Sequence, residues 1–119
     1  MNLFSPVVKG LGTTIDLLQT RHRVLTENVA NAETPGYRAK DVDFGAALAQ
    51  AFEAPREPGE VAPIEVAKDS KAVVKIDGNS VDLDTEMSKL SENAFKLEAL
   101  TQILARKYAG MKSFLSEIK

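Results

Sequence analysis

The sequence predicts a mainly α-helical chain whose N- and C-terminal amphipathic helices pair as an α-helical coiled coil, joined by a loose middle that is either β-containing or disordered. Three observations predict this. An apolar seam recurs at three- and four-residue steps through the first third of the chain, and a stricter one runs through the last third. The stretch between them concentrates proline and glycine.

The first seam is Phe4, Val8, Leu11, Ile15, Leu18, His22, Leu25, Val29 and Ala32, a period near the 3.5 residues of a coiled coil, broken only by His22. Gly10 and Gly12 weaken its start. Thr13 followed by Asp16 reads as a capped helix start, because a hydroxyl and an acid suit the free N–H groups of a first turn. The firm helix is therefore expected from about Thr13 to Asn31, preceded by helical or extended structure.

It must stop within NVANAETPGYRAKDVDF, Asn28 to Phe44. Pro35 disfavours the α conformation at Thr34, and Thr34-Pro35-Gly36-Tyr37 suits a type II turn in which Gly36 takes the positive φ. Asn28 and Asn31, three apart, present amides that can bond free carbonyls or a neighbouring chain. Arg38, Lys40, Asp41 and Asp43 keep the segment soluble, while Tyr37, Val42 and Phe44 give it apolar grips. Each part has a sufficient local explanation, so a plain helix stop and a contact loop both remain open.

In the middle, Phe44, Leu48 and Phe52 are four apart and read as a short helix capped by Asp43. EAPREPGEVAP, Glu53 to Pro63, reads as linker, AVVKI from Ala72 to Ile76 as β-like, and Asp77-Gly78 as a turn. The resulting division is 1–44 for the first helix and its loop, 45–80 for the middle and 81–119 for the second helix, the two ends forming one domain.

The second seam holds its heptad without a slip: Leu83, Met87, Leu90, Ala94, Leu97, Thr101, Leu104, Tyr108, Met111, Leu115 and Ile118. Asp82 and Asp84 place acid at its start, and Lys112 and Lys119 base at its end, as the helix dipole favours. Gly110 is its weak point, costing about 1 kcal/mol relative to Ala unless a neighbour needs the room. Two such helices cannot enclose a core, and Leu100, Ile103 and Phe114 widen the second stripe beyond what one partner covers. Leftover apolar surface of this kind points to further copies or other proteins.

Composition removes most chemistry. The chain has no cysteine, so disulfides, thiolate nucleophiles and Cys-bound zinc are absent. A net charge of −2 with scattered basic residues gives no nucleic-acid field. MNLFSPVVKGLGTTID lacks the parts of a cleaved secretory signal, and no apolar run approaches the roughly 20 residues that cross a bilayer. His22 has no companion ligand at i+3 or i+4, where Leu25 and Thr26 stand, so a structural role outweighs a catalytic or metal one. Asp77, Asn79, Asp82, Asp84 and Glu86 resemble a calcium loop only loosely: Val81, Asp82 and Ser88 occupy positions that need a ligand, a glycine and a glutamate. Turn formation and helix capping explain these acids more simply. No nucleotide-binding, hydrolase or zinc-protease motif occurs. An enzyme, a cofactor, a metal and a small-molecule substrate are all disfavoured.

The helix leading into NVANAETPGYRAKDVDF resembles the N-terminal signature of bacterial flagellar basal-body rod proteins, in which an A-N-x-x-T-P-G-Y core follows an amphipathic helix. DGNSVDLDTEMSKLSENAFKLEALTQILARKYAGMKSFL is similar to the C-terminal half of the family's proximal-rod member. The resemblance covers about Leu11 to Phe44 and Asp77 to Leu115. It implies a structural subunit of the rod, the drive shaft crossing the periplasm, exported through the flagellar type III apparatus without a cleaved signal. The partners it implies are other rod proteins of the FlgC type, the junction protein FliE, the export apparatus and membrane-ring proteins. On this reading Leu90, Leu97, Leu104, Met111 and Leu115 pair with Leu11, Ile15, Leu18 and Leu25, and Asn28, Asn31, Thr34, Pro35, Gly36 and Tyr37 shape a contact loop. A cytoplasmic helical adaptor or export chaperone, also small, acidic and heptad-rich, is the alternative.

Overall fold

The long terminal helices pack against each other, and a short middle containing a small sheet lies beside them. The computed structural model describes residues 6–53 and 66–118, without the side chains of 51 and 52. Phe4, Lys119, the Phe52 side chain and the linker reading over 54–63 fall outside the described residues.

Helix α1 spans Pro6–Ala30, with proline at the position where a missing N–H costs nothing. It begins about two turns before the expected Thr13, and Thr13 is no cap. The Thr13 and Thr14 hydroxyls donate instead to the carbonyls of Lys9 and Gly10, at 3.0 and 2.7 Å, one turn back along the same helix. Gly10 and Gly12 are tolerated because packing, rather than propensity, supplies most of a helix's stability.

After α1 the chain turns at Thr34-Pro35-Gly36-Tyr37: Tyr37 N donates to Thr34 O at 3.2 Å and Gly36 has φ +76°, the type II geometry read from Pro-Gly. Strand β1, Lys40–Val42, follows, then α2, Phe44–Glu53. Asp43 caps α2, its Oδ1 accepting from Ala46 N at 3.1 Å.

The β-like reading of Ala72 to Ile76 is corrected: no strand forms there. Strand β2 is Val66–Lys68, antiparallel to β1 with Asp41 opposite Ala67. Local propensity favoured AVVKI, but Val66–Lys68 is the segment that lies along β1, and position beside a partner decides strand pairing. In the 72–76 stretch Ala72 packs on Ala32, Ala39 and Val81, while Val73, Val74 and Ile76 stay exposed. Lys75 N bonds Asn79 O at 2.8 Å and Gly78 N bonds Lys75 O at 2.9 Å, closing the turn expected at Asp77-Gly78.

Helix α3, Leu83–Glu117, is about 52 Å long at 1.5 Å per residue. Asp82 is its N-cap, Oδ1 accepting from Asp84 N and Thr85 N, with Asp84 and Glu86 adding acid to the first turn. The last turn carries no base, since Lys112 lies further back. The helices run antiparallel: Asn93 Nδ2 reaches Leu18 O at 2.8 Å, and ten residues further along α1 Asn28 Nδ2 reaches Glu86, earlier in α3.

The core is closed with the help of the connecting segments and not by the two helices alone. Leu17, Leu18, Val24 and Leu25 are buried on α1, and Ala32, Ala39, Val42 and Val81 on the connecting segments. The buried stripe of α1 is displaced from the heptad seam toward Leu17, Val24 and Asn28, leaving His22 exposed. The reason is a second contact: α2 and β1 pack on α1 alongside α3, so its apolar arc must serve neighbours in more than one direction. Helix α3 has no such cover and buries only Glu86 and Asn93.

Candidate functional site

The residues of the N-terminal motif converge on a buried polar knot at the end of the helix pair. Asn28 is fully buried. Its Nδ2 donates to Lys40 O at 2.7 Å and Glu86 Oε2 at 2.9 Å, while its Oδ1 accepts from Lys40 N at 3.0 Å and Tyr37 Oη at 3.1 Å. Both amide hydrogens and both lone pairs are used, so this burial carries no unmet hydrogen bond. One side chain thereby joins α1, the turn, β1 and α3.

A second buried amide, Asn79, closes the same loop from the other side. Its Nδ2 donates to Asn31 O at 2.9 Å and Thr34 O at 2.7 Å, and its Oδ1 accepts from Val81 N at 2.7 Å. Ser80 supports it: Ser80 N donates to Tyr37 O at 3.0 Å, and Ser80 Oγ accepts from Ala39 N at 2.7 Å. Gly36 N donates to Asp77 O at 2.9 Å. Two left-handed glycines meet at this point, because a Cβ on Gly78, at φ +82°, would lie 3.3 Å from Gly36 Cα.

A charge cluster lies beside the knot. Arg21 holds Asp41 through two hydrogen bonds, Nε to Oδ1 at 3.0 Å and Nη2 to Oδ2 at 3.2 Å. Lys89 Nζ stands 3.0 Å from Asp69, 3.4 Å from Asp41 and 3.8 Å from Glu86. Burial pushes the Asp41 carboxyl up, but hydrogen bonds from Arg21 and Val42 N and the charges of Arg21 and Lys89 outweigh it and hold the group below the usual carboxylate range. Asp69 is likewise lowered, against its burial, by Lys89 and by Lys71 N. Lys89 is raised: its burial is outweighed by the Asp69 hydrogen bond and the carboxylates around it. Arg21 is raised by its bond to Asp41, and burial raises Tyr37, with Glu27 and Glu86 adding to it. The cluster ties α1 and α3 to β1 and to Asp69, the residue that follows β2.

This arrangement can fix a loop, and it leaves little chemistry exposed. Asn28 is buried, Asn31 and Tyr37 are half-buried, and Thr34, Pro35 and Gly36 face outward. Asn31 spends its amide locally, donating to Glu27 O at 2.9 Å and accepting from Thr34 Oγ1 at 3.1 Å. The acidic string serves turn and cap as read: Asp77 Oδ1 accepts from Asn79 N at 3.0 Å, and Asp82 caps α3. Among the described residues no three His, Cys, Asp or Glu are grouped to hold a metal ion, and no helix is long and apolar enough to cross a membrane.

The seam residues divide unequally. On α1, Leu18 and Leu25 are buried, and Leu11, Ile15 and Val29 half-buried. On α3, Leu90, Leu97, Leu104 and Met111 are half-buried, while Leu83, Met87, Tyr108 and Leu115 are exposed. Phe95, at 75% exposure, and Phe114 add to the open surface. An open groove of about 650 Å3 lies between the 69–75 segment and the start of α3.

Sequence reasoning missed Asn79 and Ser80 as members of the knot and Arg21 and Lys89 as members of the charge cluster, and it missed Asn93. The Asn93 amide is buried in the helix interface and donates to Leu18 O, but its Oδ1 has no partner among the described residues. A polar residue beside the apolar stripe, as Asn93 is beside Ala94 and Leu97, was the available signal.

No family model matches the chain. Among known proteins, it is 34% identical over 108 aligned positions to the flagellar basal body rod protein FlgB of Cereibacter sphaeroides, covering 80% of this chain and 82% of that one. It is 29% identical over 126 positions to FlgB of Bacillus subtilis, with 98% of each chain covered. Against FlgB of Escherichia coli it is 26% identical over 119 positions, covering 85% of this chain and 86% of that one.

Proposed function

The chain belongs to the FlgB family of flagellar basal body rod proteins, and from that membership we propose that it is a structural subunit whose terminal helices assemble with their neighbours into the rod that acts as the motor's drive shaft. It is a component of the flagellar basal body. The finer location proposed is the periplasmic rod. Its proposed neighbours there are other copies, rod proteins of the FlgC type, the junction protein FliE, and the export apparatus and membrane-ring proteins from which the rod starts. The role asks for packing surfaces and no reaction centre, so an enzymatic function is not proposed.

The observation that carries this reading is the contrast between the two helices. Helix α1 is buried along a stripe from Val8 to Asn28, whereas α3, ten residues longer, buries two polar side chains and leaves Phe95, Ile103, Tyr108 and Phe114 exposed. At about 25 cal/mol per Å2, such a surface is a substantial driving force for association that the isolated chain does not use. The motif residues, in this proposal, act one step earlier: Asn28, Tyr37 and Asn79 fix the angle at which α3 is presented.

Deleting the gene in its own host and restoring a tagged copy tests the reading. Loss of motility on deletion, with the tagged chain recovered in purified basal bodies, is the expected result. A motile deletion strain would overturn it, and recovery of the chain only as a stable cytosolic dimer would favour the adaptor or chaperone.

A further inference from the structure

Helix α3 offers α1 two sides and is met on the more polar one. Leu90, Leu97 and Leu104 form a central row that is half-buried along the pair. Two further rows flank it at heptad spacing, about 100° apart around the helix: Glu86, Asn93 and Leu100 on one side, Met87, Ala94 and Thr101 on the other. Either row, taken with the central leucines, completes a three-and-four repeat. The side that α1 covers is the first: Glu86 and Asn93 are buried and Leu100 is half-buried, whereas Met87, Ala94 and Thr101 are exposed.

Apolar burial alone does not account for this choice. It favours Met87 over Glu86 and Ala94 over Asn93, and only Leu100 favours the side that is used. What the covered side adds is hydrogen bonding to α1. Glu86 Oε2 accepts from Asn28 Nδ2 at 2.9 Å, and Asn93 Nδ2 donates to Leu18 O at 2.8 Å. The side chains of Met87 and Ala94 can give α1 no equivalent bond.

We propose that Asn93 is a steering residue. Its bond to Leu18 O holds α1 on one side of the central leucines, and without it α3 rolls about its own axis until Ala94 and Thr101 face α1. Glu86 is fixed within the polar knot, whereas Asn93 lies one heptad, about 10.5 Å, further along α3, in a stretch of the pair filled by aliphatic side chains.

Stability does not explain an asparagine at this position. Asn93 is wholly buried, and its Oδ1 has no partner among the described residues. An unmatched buried carbonyl works against folding, so a leucine would serve packing better. A buried amide that costs stability while fixing how two helices meet is the use asparagine has at single positions of coiled coils. The steering acts within the isolated chain and does not depend on the rod reading.

The chain has no cysteine, so an introduced thiol is the only one present. Leu100→Cys and Thr101→Cys place single thiols on the two sides of α3 one heptad past Asn93, opposite about Leu11 at the common helical rise, and Gln19→Cys on the exposed side of α1 is the reference. Each is made in three backgrounds: the parent, Asn93→Ala, and Asn93→Ala with Ala94→Asn. The last keeps the composition and moves the amide across the row of leucines. Maleimide labelling rates are compared in dilute solution, with circular dichroism and a thermal melt of every variant.

In the parent, Thr101→Cys is expected to label at the reference rate and Leu100→Cys about tenfold more slowly. In Asn93→Ala the Thr101 thiol slows as the Leu100 thiol quickens, and in the transposed chain their order reverses. An order unchanged in both backgrounds overturns the proposal, and an accompanying fall in melting temperature would mark Asn93 as an ordinary stabilising contact. A faster Leu100 thiol with the Thr101 thiol still at the reference rate is loosening without a roll and also overturns it. If the transposed chain fails to fold, Asn93→Ala decides alone by whether its Thr101 thiol becomes protected.

Discussion

Asn28 holds Lys40 by both of its backbone groups, the side-chain amide donating to Lys40 O at 2.7 Å and accepting from Lys40 N at 3.0 Å. A side chain of α1 thus takes the place of a strand beside β1. Replacing it with alanine leaves both Lys40 groups, the Tyr37 hydroxyl and Glu86 without that partner. At about 1–3 kcal/mol for each buried group left unmatched, Asn28→Ala is expected to cost at least about 3 kcal/mol. Asn31→Ala, which removes two local bonds at a more open site, is expected to cost about 1 kcal/mol or less. Thermal or urea melts of the two variants check this, and equal losses would show that Asn28 is no latch.

The glycines separate in the same way. Gly36 and Gly78 both have positive φ, but only at Gly78 would a Cβ press on another backbone, 3.3 Å from Gly36 Cα. Gly36→Ala carries the conformational penalty of about 1–2 kcal/mol, and Gly78→Ala that penalty plus a clash. Gly110 has nothing within 4 Å of a built Cβ, so Gly110→Ala is expected to stabilise the isolated chain by about 1 kcal/mol. The order of melting temperatures, Gly110→Ala above the parent and Gly78→Ala lowest, is the check. If Gly110→Ala stabilises the free chain yet blocks assembly, a neighbouring subunit occupies that space.

The charge cluster sets a pH window. Asp41 and Asp69 have folded pKa values below their unfolded ones, so their contribution is complete above the unfolded value near 4 and is lost as pH falls through the lower folded values. Lys89 is shifted upward, so its contribution is complete below its unfolded value near 10 and is lost as pH rises through the higher folded one. Stability from this cluster is therefore flat between about pH 5 and pH 10. Asp41→Asn should lower the plateau and flatten the acid limb, because it removes the group that takes up the proton. Urea melts from pH 2 to pH 7 measure this, and an acid limb unchanged by Asp41→Asn would place the titration elsewhere.

How much of this was legible follows from the kind of signal each part leaves. The helices were, because heptad spacing, the Asp82 cap and the Pro35-Gly36 turn are local patterns with local causes. The start of α1 was misread because a threonine at Thr13 looks the same in sequence whether its hydroxyl caps a helix or bonds back to Lys9 O. The strand was misplaced because Val66–Lys68 owes its pairing to β1, 26 residues away in register, and nothing in its composition announces that. The polar knot lay further out of reach. Asn28 and Glu86 are 58 residues apart and each alone resembles a surface residue. Only the fold reveals that Asn79, read as part of an acidic string, is a core amide.

The seam on α3 serves two purposes that mutation can separate. Leu97 is half-buried on the part of α3 that overlaps α1, whereas Leu115 is exposed beyond it. Leu97→Asp places a charge against the helix pair and is expected to cost several kcal/mol, of which part is already felt by the isolated chain. Leu115→Asp should leave the melt of the isolated chain within about 0.5 kcal/mol of the parent, as surface substitutions do. If α3 is an assembly surface, the same Leu115→Asp chain will be stable and soluble yet missing from basal bodies, and its host non-motile. Motility at the parental level in both variants would mean that neither stretch of the seam is used, and the open face of α3 would then need another explanation.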